Sequence, residues 1–305
     1  MFRVLLLAGR VGGGGGGLGL AGGTRRLASK PTSPPPRKLA NITLHDPKSK
    51  LKFQELQELQ LQLAQFHSQG KYDDAAECAD YVIQQMRDHF GGQHVGLASA
   101  LCSRGVIAKD LGNLKEAVDY YQQSIIAYQN TKEHYQGKAV ALQNLGNAWR
   151  EQAKLAGEDK PKLLARAYEV LWEASEMLRK GDGPTAQYAE SLRKLGNLDK
   201  DRGNLESAEK LLTEAVELAD LRVKADHPLR FSTRNDLAMV LKTAGKDFDR
   251  ARQLYQSAIE YAQDKLGVKS RDFIVYTHNL AELLETNEHT KQEALELRHF
   301  LLKLR

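Results

Sequence analysis

Amide and cationic side chains recur at helical spacing ahead of a series of glycines, and they are the residues of this 305-residue sequence best placed to do chemistry. Counting back roughly three, six, and nine or ten positions from a turn glycine stays on one side of a helix. Before Gly203 this rule selects Lys200, Asn197 and Arg193 or Lys194, and before Gly245 it selects Lys242 and Asn235. One helical pair earlier, with an extra turn allowed for, it selects Asn144, Asn147 and Arg150. The chemistry is recognition. Amides can bond both polar groups of an extended backbone, and ammonium and guanidinium groups pair with acidic side chains or a terminal carboxylate. Together these nine residues are expected to line a groove for a protein partner, specifically an extended acidic peptide. The competing reading is an ordinary solvated helix face.

No constellation of nucleophile, base and orienting group accompanies them. His89 and His94 flank Gly91-Gly92, while His227, His278, His289 and His299 are scattered, and no pair has zinc-helix spacing with a third ligand nearby. His227 directly precedes Pro228, a position suited to capping a helix. Cys78 and Cys102 form neither a disulfide framework nor a Cys-x-x-Cys motif and read as small core residues, although adjacent helices could bring them together. The run Gly12 to Gly17 matches a loose Gly-x-Gly-x-x-Gly pattern but follows no strand, and there is neither a Gly-Lys-Ser/Thr phosphate loop nor a Gly-x-Ser-x-Gly elbow. The expectation is a non-enzyme, with no cofactor and no metal.

The elements that position the polar residues are visible as a repeat. Turns fall at Gly70, Gly112, Gly157, Gly203, Gly245 and, degraded, Asn287, at intervals close to 42 residues. After the turns come apolar stripes at helical spacing: Ala75, Ala79, Ile83; Ala117, Tyr121, Ile125; Ala208, Leu212, Val216; Ala251, Tyr255, Ile259. Before them stand small-residue signatures, as in Leu145-Gly146, Leu195-Gly196, Leu237-Ala238 and Leu280-Ala281, which let helices approach closely. Each unit is thus two antiparallel helices joined by a turn such as Gly112-Asn113-Leu114 or Gly203-Asn204-Leu205, which suits a left-handed C-cap. One hairpin cannot bury both of its stripes, so neighbours must stack into a curved array whose concave face comes mainly from the first helices. Two units depart from the period. The anchor steps by 50 from Ala117 to Ala167, read as a longer first helix plus an inserted loop over Gly157 to Lys162, and the sixth unit continues through Leu295, Leu297 and Leu301 as a terminal cap.

These features resemble the tetratricopeptide repeat, particularly its longer form in kinesin light chains. The residues that carry the resemblance are Gly70-Lys71-Tyr72, Gly112-Asn113-Leu114 followed by Glu116-Ala117, and Asp226-His227-Pro228. It covers roughly residues 51 to 305 and implies an all-α, right-handed superhelical solenoid of about six helical hairpins. In that family first-helix asparagines clamp peptide backbones, and a chaperone-binding subset clamps a carboxylate with lysine and arginine; a full version of that clamp is not visible here. The resemblance extends to mitochondrial assembly factors of respiratory complexes, notably of cytochrome bc1, which implies respiratory-chain subunits as partners of a binding scaffold or accessory subunit. Those factors carry a membrane segment before their repeats, whereas this sequence has no run of 18 apolar residues. The alternative is a cytosolic cargo adaptor like a kinesin light chain. It would need a heptad region, and Phe53 to Leu63 supplies less than two heptads.

Two segments follow: residues 1–45 as a targeting leader with a proline-rich spacer, and residues 46–305 as the solenoid. The leader holds Arg3, Arg10, Arg25, Arg26, Lys30, Arg37 and Lys38 with no acidic residue before Asp46, the composition of a mitochondrial presequence for a matrix or inner-membrane-associated protein. Arg25-Arg26-Leu27-Ala28-Ser29 resembles a matrix-peptidase site cut after Leu27. The competing readings are a secretory signal over Val4 to Ala8, which is short and ends at Arg10, and a glycine-rich start with no address. Pro31, Pro34, Pro35 and Pro36 make a stiff spacer. The formal charge of +5 belongs mostly to this segment: removal of residues 1–27 takes four arginines and leaves acids and bases almost balanced. Global basicity therefore says nothing of nucleic acid, and basic and aromatic residues are not interleaved as in a single-strand binder.

Overall fold

The apolar stripes fold as twelve helices in the computed structural model, which describes residues 47–129, 134–181 and 183–304, with side chains from residue 52 onward. In chain order they are α1 (Pro47–Ser68), α2 (Tyr72–Phe90), α3 (Val95–Asp110), α4 (Leu114–Ala127), α5 (Tyr135–Leu155), α6 (Lys160–Gly181), α7 (Ala186–Asp201), α8 (Leu205–Arg222), α9 (Pro228–Ala244), α10 (Phe248–Leu266), α11 (Arg271–Leu284) and α12 (Lys291–Lys303). They pair as six hairpins, and each helix packs on the next along the chain. The expected leader, its expected cleavage site and the proline-rich spacer fall outside the described residues.

Four of the five turn glycines do what the sequence asked. Gly112 and Gly203 sit at φ 84° and 85°, where any side chain is strained. The turns close with the paired bonds of a Schellman cap: Asn113 N–H donates to Ala108 O at 2.8 Å and Gly112 N–H to Lys109 O at 2.9 Å, and Asn204 and Gly203 repeat the pattern. The third turn is different. Its first helix is indeed long, 21 residues against 16 for α3 and α7. The expected inserted loop, however, is half helix, because Lys160, Pro161 and Lys162 form the first turn of α6, where a proline has no intrahelical bond to lose.

Close approach inside hairpins explains the small-residue signature. A Cβ on Gly146 would lie 2.5 Å from Leu171 Cγ, and one on Gly196 2.6 Å from Leu212 Cγ. One core cluster runs through three hairpins, from Tyr121 of α4 through Leu145, Trp149 and Leu171 to Leu195 and Leu198 of α7. Full burial of each such leucine contributes about 2 kcal/mol, and only the stack makes burial possible. Cys78 and Cys102 are both free thiols in this packing; Cys78 Sγ donates to Leu59 O. Successive first helices approach one another more closely than successive second helices do, so the first helices form the inner layer of the stack.

Candidate peptide-binding face

All nine selected residues stand on first helices, α5, α7 and α9. Their register can be checked against the close-approach position: Lys109, Arg150, Lys200 and Lys242 each lie four residues beyond Gly105, Gly146, Gly196 and Ala238. One cation on each of α3, α5, α7 and α9 thus runs along the inner layer. Lys109 belongs to this column although it was not selected; the three-before-glycine rule applied to Gly112 would have found it.

The cations are not free. Adjacent first helices are stitched together by polar contacts that step from one hairpin to the next. Arg150 Nε donates to Asp201 at 2.5 Å, Lys194 Nζ to Gln143 Oε1 at 2.9 Å, and Lys242 Nζ to Glu282 at 2.5 Å. Arg193 forks onto Glu190 at 2.8 Å for both bonds and reaches Asp236 at 2.7 Å. Asp236, 7% exposed, is the hub: it also accepts from Asn197 at 2.5 Å and Asn235 at 3.2 Å. Asn279 Nδ2 donates in turn to Asn235 Oδ1 at 2.9 Å, carrying the chain to α11. Asn144 donates to the Cys102 thiol at 3.5 Å, and burial pushes that thiol up from its ordinary pKa. Asn147 is half-buried and makes no hydrogen bond among the described residues.

The face therefore divides. Toward α9 and α11, each cation has an acid of its own, so Arg193, Asn197, Asn235 and Lys242 act as struts between hairpins. Toward α3, α5 and α7, cations outnumber acids: Lys109, Arg150, Lys154, Lys194 and Lys200 face Asp110, Asp201 and Glu190. Burial pushes the Lys194 ammonium below the usual lysine range; Glu190 pulls it back, and Arg193 and Lys109 push it further down. Lys200 is the least satisfied. Its nearest carboxylate, on Asp201, stands 3.9 Å away and its close contact is the Met239 thioether at 2.9 Å. Burial lowers its pKa, Asp201 and Asp236 oppose the shift, and Arg150 and Lys154 reinforce it. Exposed Lys154 has no acidic partner among the described residues.

Beside this cationic end lies a cavity of about 510 Å³ between α5, α7 and the start of α9, lined by Val140, Gln143, Glu190, Lys194, Pro228 and Leu229 among others. Val140 is 39% exposed, so the cavity offers an apolar wall next to a charged one. His227 at its edge is a cap, its Nδ1 accepting from Leu229 N–H at 3.1 Å, and His94 caps α3 in the same way. Among the described residues no cluster of three or more His, Cys, Asp or Glu is placed to hold a metal, and no helix is long and apolar enough to cross a membrane. The acids Glu190, Asp201, Asp236 and Glu282 escaped the sequence rule because it looked for ligand-binding types and ignored in-chain partners. Asp236 nevertheless stands nine positions before Gly245, on the selected side.

Solved structures share this architecture. BtubC of P. vanneervenii superposes with a TM-score of 0.58 at 17% identity, over 70% of this chain and 81% of that one. A thermophilic tetratricopeptide protein of Thermus thermophilus gives 0.55 at 20% identity, over 74% and 98%. Acl4, an assembly chaperone of RpL4, gives 0.50 at 20% identity, over 81% and 89%. No curated protein sequence matches the chain. The tetratricopeptide repeat profile matches residues 55–130 and 187–264, half of the sequence, and with six stacked hairpins of the matching architecture this chain belongs to the tetratricopeptide repeat family.

Proposed function

We propose that the chain is a non-catalytic protein-binding scaffold whose inner face, from α3 to α7, holds an extended acidic stretch of a partner polypeptide. The observation that carries this reading is Lys200, an ammonium sunk into the face with a thioether for its close partner and two further cations nearby. A carboxylate of the partner would complete its shell, where a charge-assisted bond is strongest. Asn147 has an amide to spare for the partner backbone, and the cavity beside Val140 and Lys194 fits an apolar side chain. Mitochondrial matrix or inner-membrane association, with respiratory-chain subunits as the partners, is the finer form of the proposal. It is supported by the arginine-rich, acid-free residues 1–45, and the assembly chaperone among proteins of like fold is a precedent for the class of task.

Fluorescence anisotropy with a labelled glutamate-rich peptide, and a lysine-rich one of equal length, tests the face. The acidic peptide should bind, weaken with salt, and lose about tenfold in affinity in Lys109→Glu/Lys200→Glu, a change of about 1.4 kcal/mol. Equal binding of the lysine-rich peptide, or an unchanged affinity in the double variant, overturns the face. N-terminal sequencing of the chain recovered from fractionated cells tests the address. A terminus at Ala28 in mitochondria with respiratory-chain proteins attached supports it, and an intact Met1 with cytosolic cargo overturns it.

A further inference from the structure

The second-helix stripe that seals one hairpin against the next ends uncovered. Along the stack its equivalent positions are Ile83, Ile125, Ser175, Val216 and Ile259, apolar except in the third hairpin and all buried or half-buried, with Ile259 only 6% exposed. The last member, Leu302 of α12, is 63% exposed. Leu295, one position type earlier on the same face, is 59% exposed, whereas its counterpart Arg252 is held by Glu293 of the following hairpin at 2.8 Å. On α12 the residues Leu295, His299 and Leu302 fall at i, i+4 and i+7, a single stripe pointing away from the hairpin's own core. Among the described residues the inter-hairpin stripe thus continues onto α12 and is exposed there.

We propose that this end face pairs with the same face of a second copy, making a two-fold dimer through antiparallel α12 helices. Three observations select a second copy. The stripe is self-complementary: in an antiparallel pair Leu295 lies opposite Leu302 of the second copy, with His299 near the two-fold axis. The flanking charges complement as well, because Glu296 and Lys303 share one side of the stripe and antiparallel pairing sets each beside the opposite charge of the other copy. The rim is already neutral, with Arg298 bound to Glu285 and Lys291 to Glu288, so two identical faces meet without repulsion. The outer side of α1 is mainly polar, exposing Gln54, Glu55, Gln57 and Glu58 around the single apolar Leu61, so among the described residues it does not repeat the α12 stripe. An isologous contact closes at two, whereas a head-to-tail one would not.

Sedimentation equilibrium of the full chain reads this directly. At tens of micromolar the wild-type protein should run at twice the 34.1 kDa chain mass. Leu295→Glu/Leu302→Glu should run as a monomer with unchanged helicity. Glu296→Lys should weaken the dimer at least severalfold, and adding Lys303→Glu should restore it, a rescue that no folding defect imitates. Leu61→Glu, on the exposed side of α1, should leave the dimer intact. A wild-type monomer at every concentration, a dimer that survives the double leucine change, or one broken by Leu61→Glu overturns the proposal. None of these outcomes depends on the peptide face, which the anisotropy assay reads separately.

Discussion

Replacing Asp236 by alanine should separate the two ends of the solenoid. The carboxylate is 10% exposed and accepts from three donors that come from both sides of the α7/α9 contact. Its removal breaks a buried ion pair, a class of change that costs about 3–5 kcal/mol. It also orphans the Asn197 and Asn235 amides, at about 1–3 kcal/mol for a buried group with no replacement. Two features hold the total down. Arg193 keeps both of its bonds to Glu190, and its side chain is 22% exposed, so water can reach part of the gap. The expected loss is therefore near the lower limit, about 3 kcal/mol, out of a whole-domain stability of about 5–15 kcal/mol. Asp236→Asn keeps the shape and an acceptor, and should cost about 1 kcal/mol.

Because hairpins touch only their neighbours, the loss falls on one interface and not on the stack as a whole. Urea unfolding of Asp236→Ala, followed by circular dichroism, should change from one transition to two. Amide hydrogen exchange should show α9 to α12 opening before α3 to α6. A single transition displaced by less than about 0.5 kcal/mol would show that the network does not couple the hairpins, and the division of the face into struts and ligand groups would fall with it.

Gly112→Val should destabilise by about 1–3 kcal/mol through its left-handed φ of 84°, measured as a shift in the urea midpoint; equal stability removes the cap argument. Gly196→Val meets the Leu212 side chain and the Ala208 carbonyl and should cost about 1–3 kcal/mol by overpacking, with Leu212→Ala in the same chain recovering part of the loss. Acidification should weaken the second hairpin. His94 caps α3 through an unprotonated Nδ1, and burial, helped by His134, holds its folded pKa below the usual 6.5. The unfolded chain then binds the proton first, so this contribution is complete above the unfolded pKa and is lost as pH falls through the folded one. His94→Asn keeps a cap acceptor without the proton, and its stability between pH 7 and 5 should fall less than that of the wild type.

Period, turns and small residues were legible because each is a local rule repeated down the chain: Gly112 and Gly203 announce the cap, Gly146 and Gly196 the close contact. The register of the polar face was legible for the same reason, since a helix fixes which residues share a side. What the local rules could not supply is pairing across hairpins. Arg193 and Lys200 look alike in sequence, both cations in one selected set. One is locked between Glu190 and Asp236, and the other is left against a thioether. The difference lies in what stands about 40 residues further on, Asp236 in one case and Met239 in the other, so it appears only when the repeats are stacked. The third turn misled for a related reason: Pro161 reads as a loop residue until it is seen at the first turn of α6.

That pairing also separates the part of the layer that serves as frame from the part proposed as binding surface. An array of hairpins is stiff only where neighbours are bonded, and the bonds that join α7, α9 and α11 consume Arg193 and Lys242. From α3 to α7 the contacts are fewer for the charge present, so a surplus of ammonium is held in place by burial and not by in-chain acids. Holding like charges together costs free energy, and under the proposed function a partner carboxylate would recover part of it. The neighbouring braced hairpins would keep the surplus at a fixed spacing for that partner.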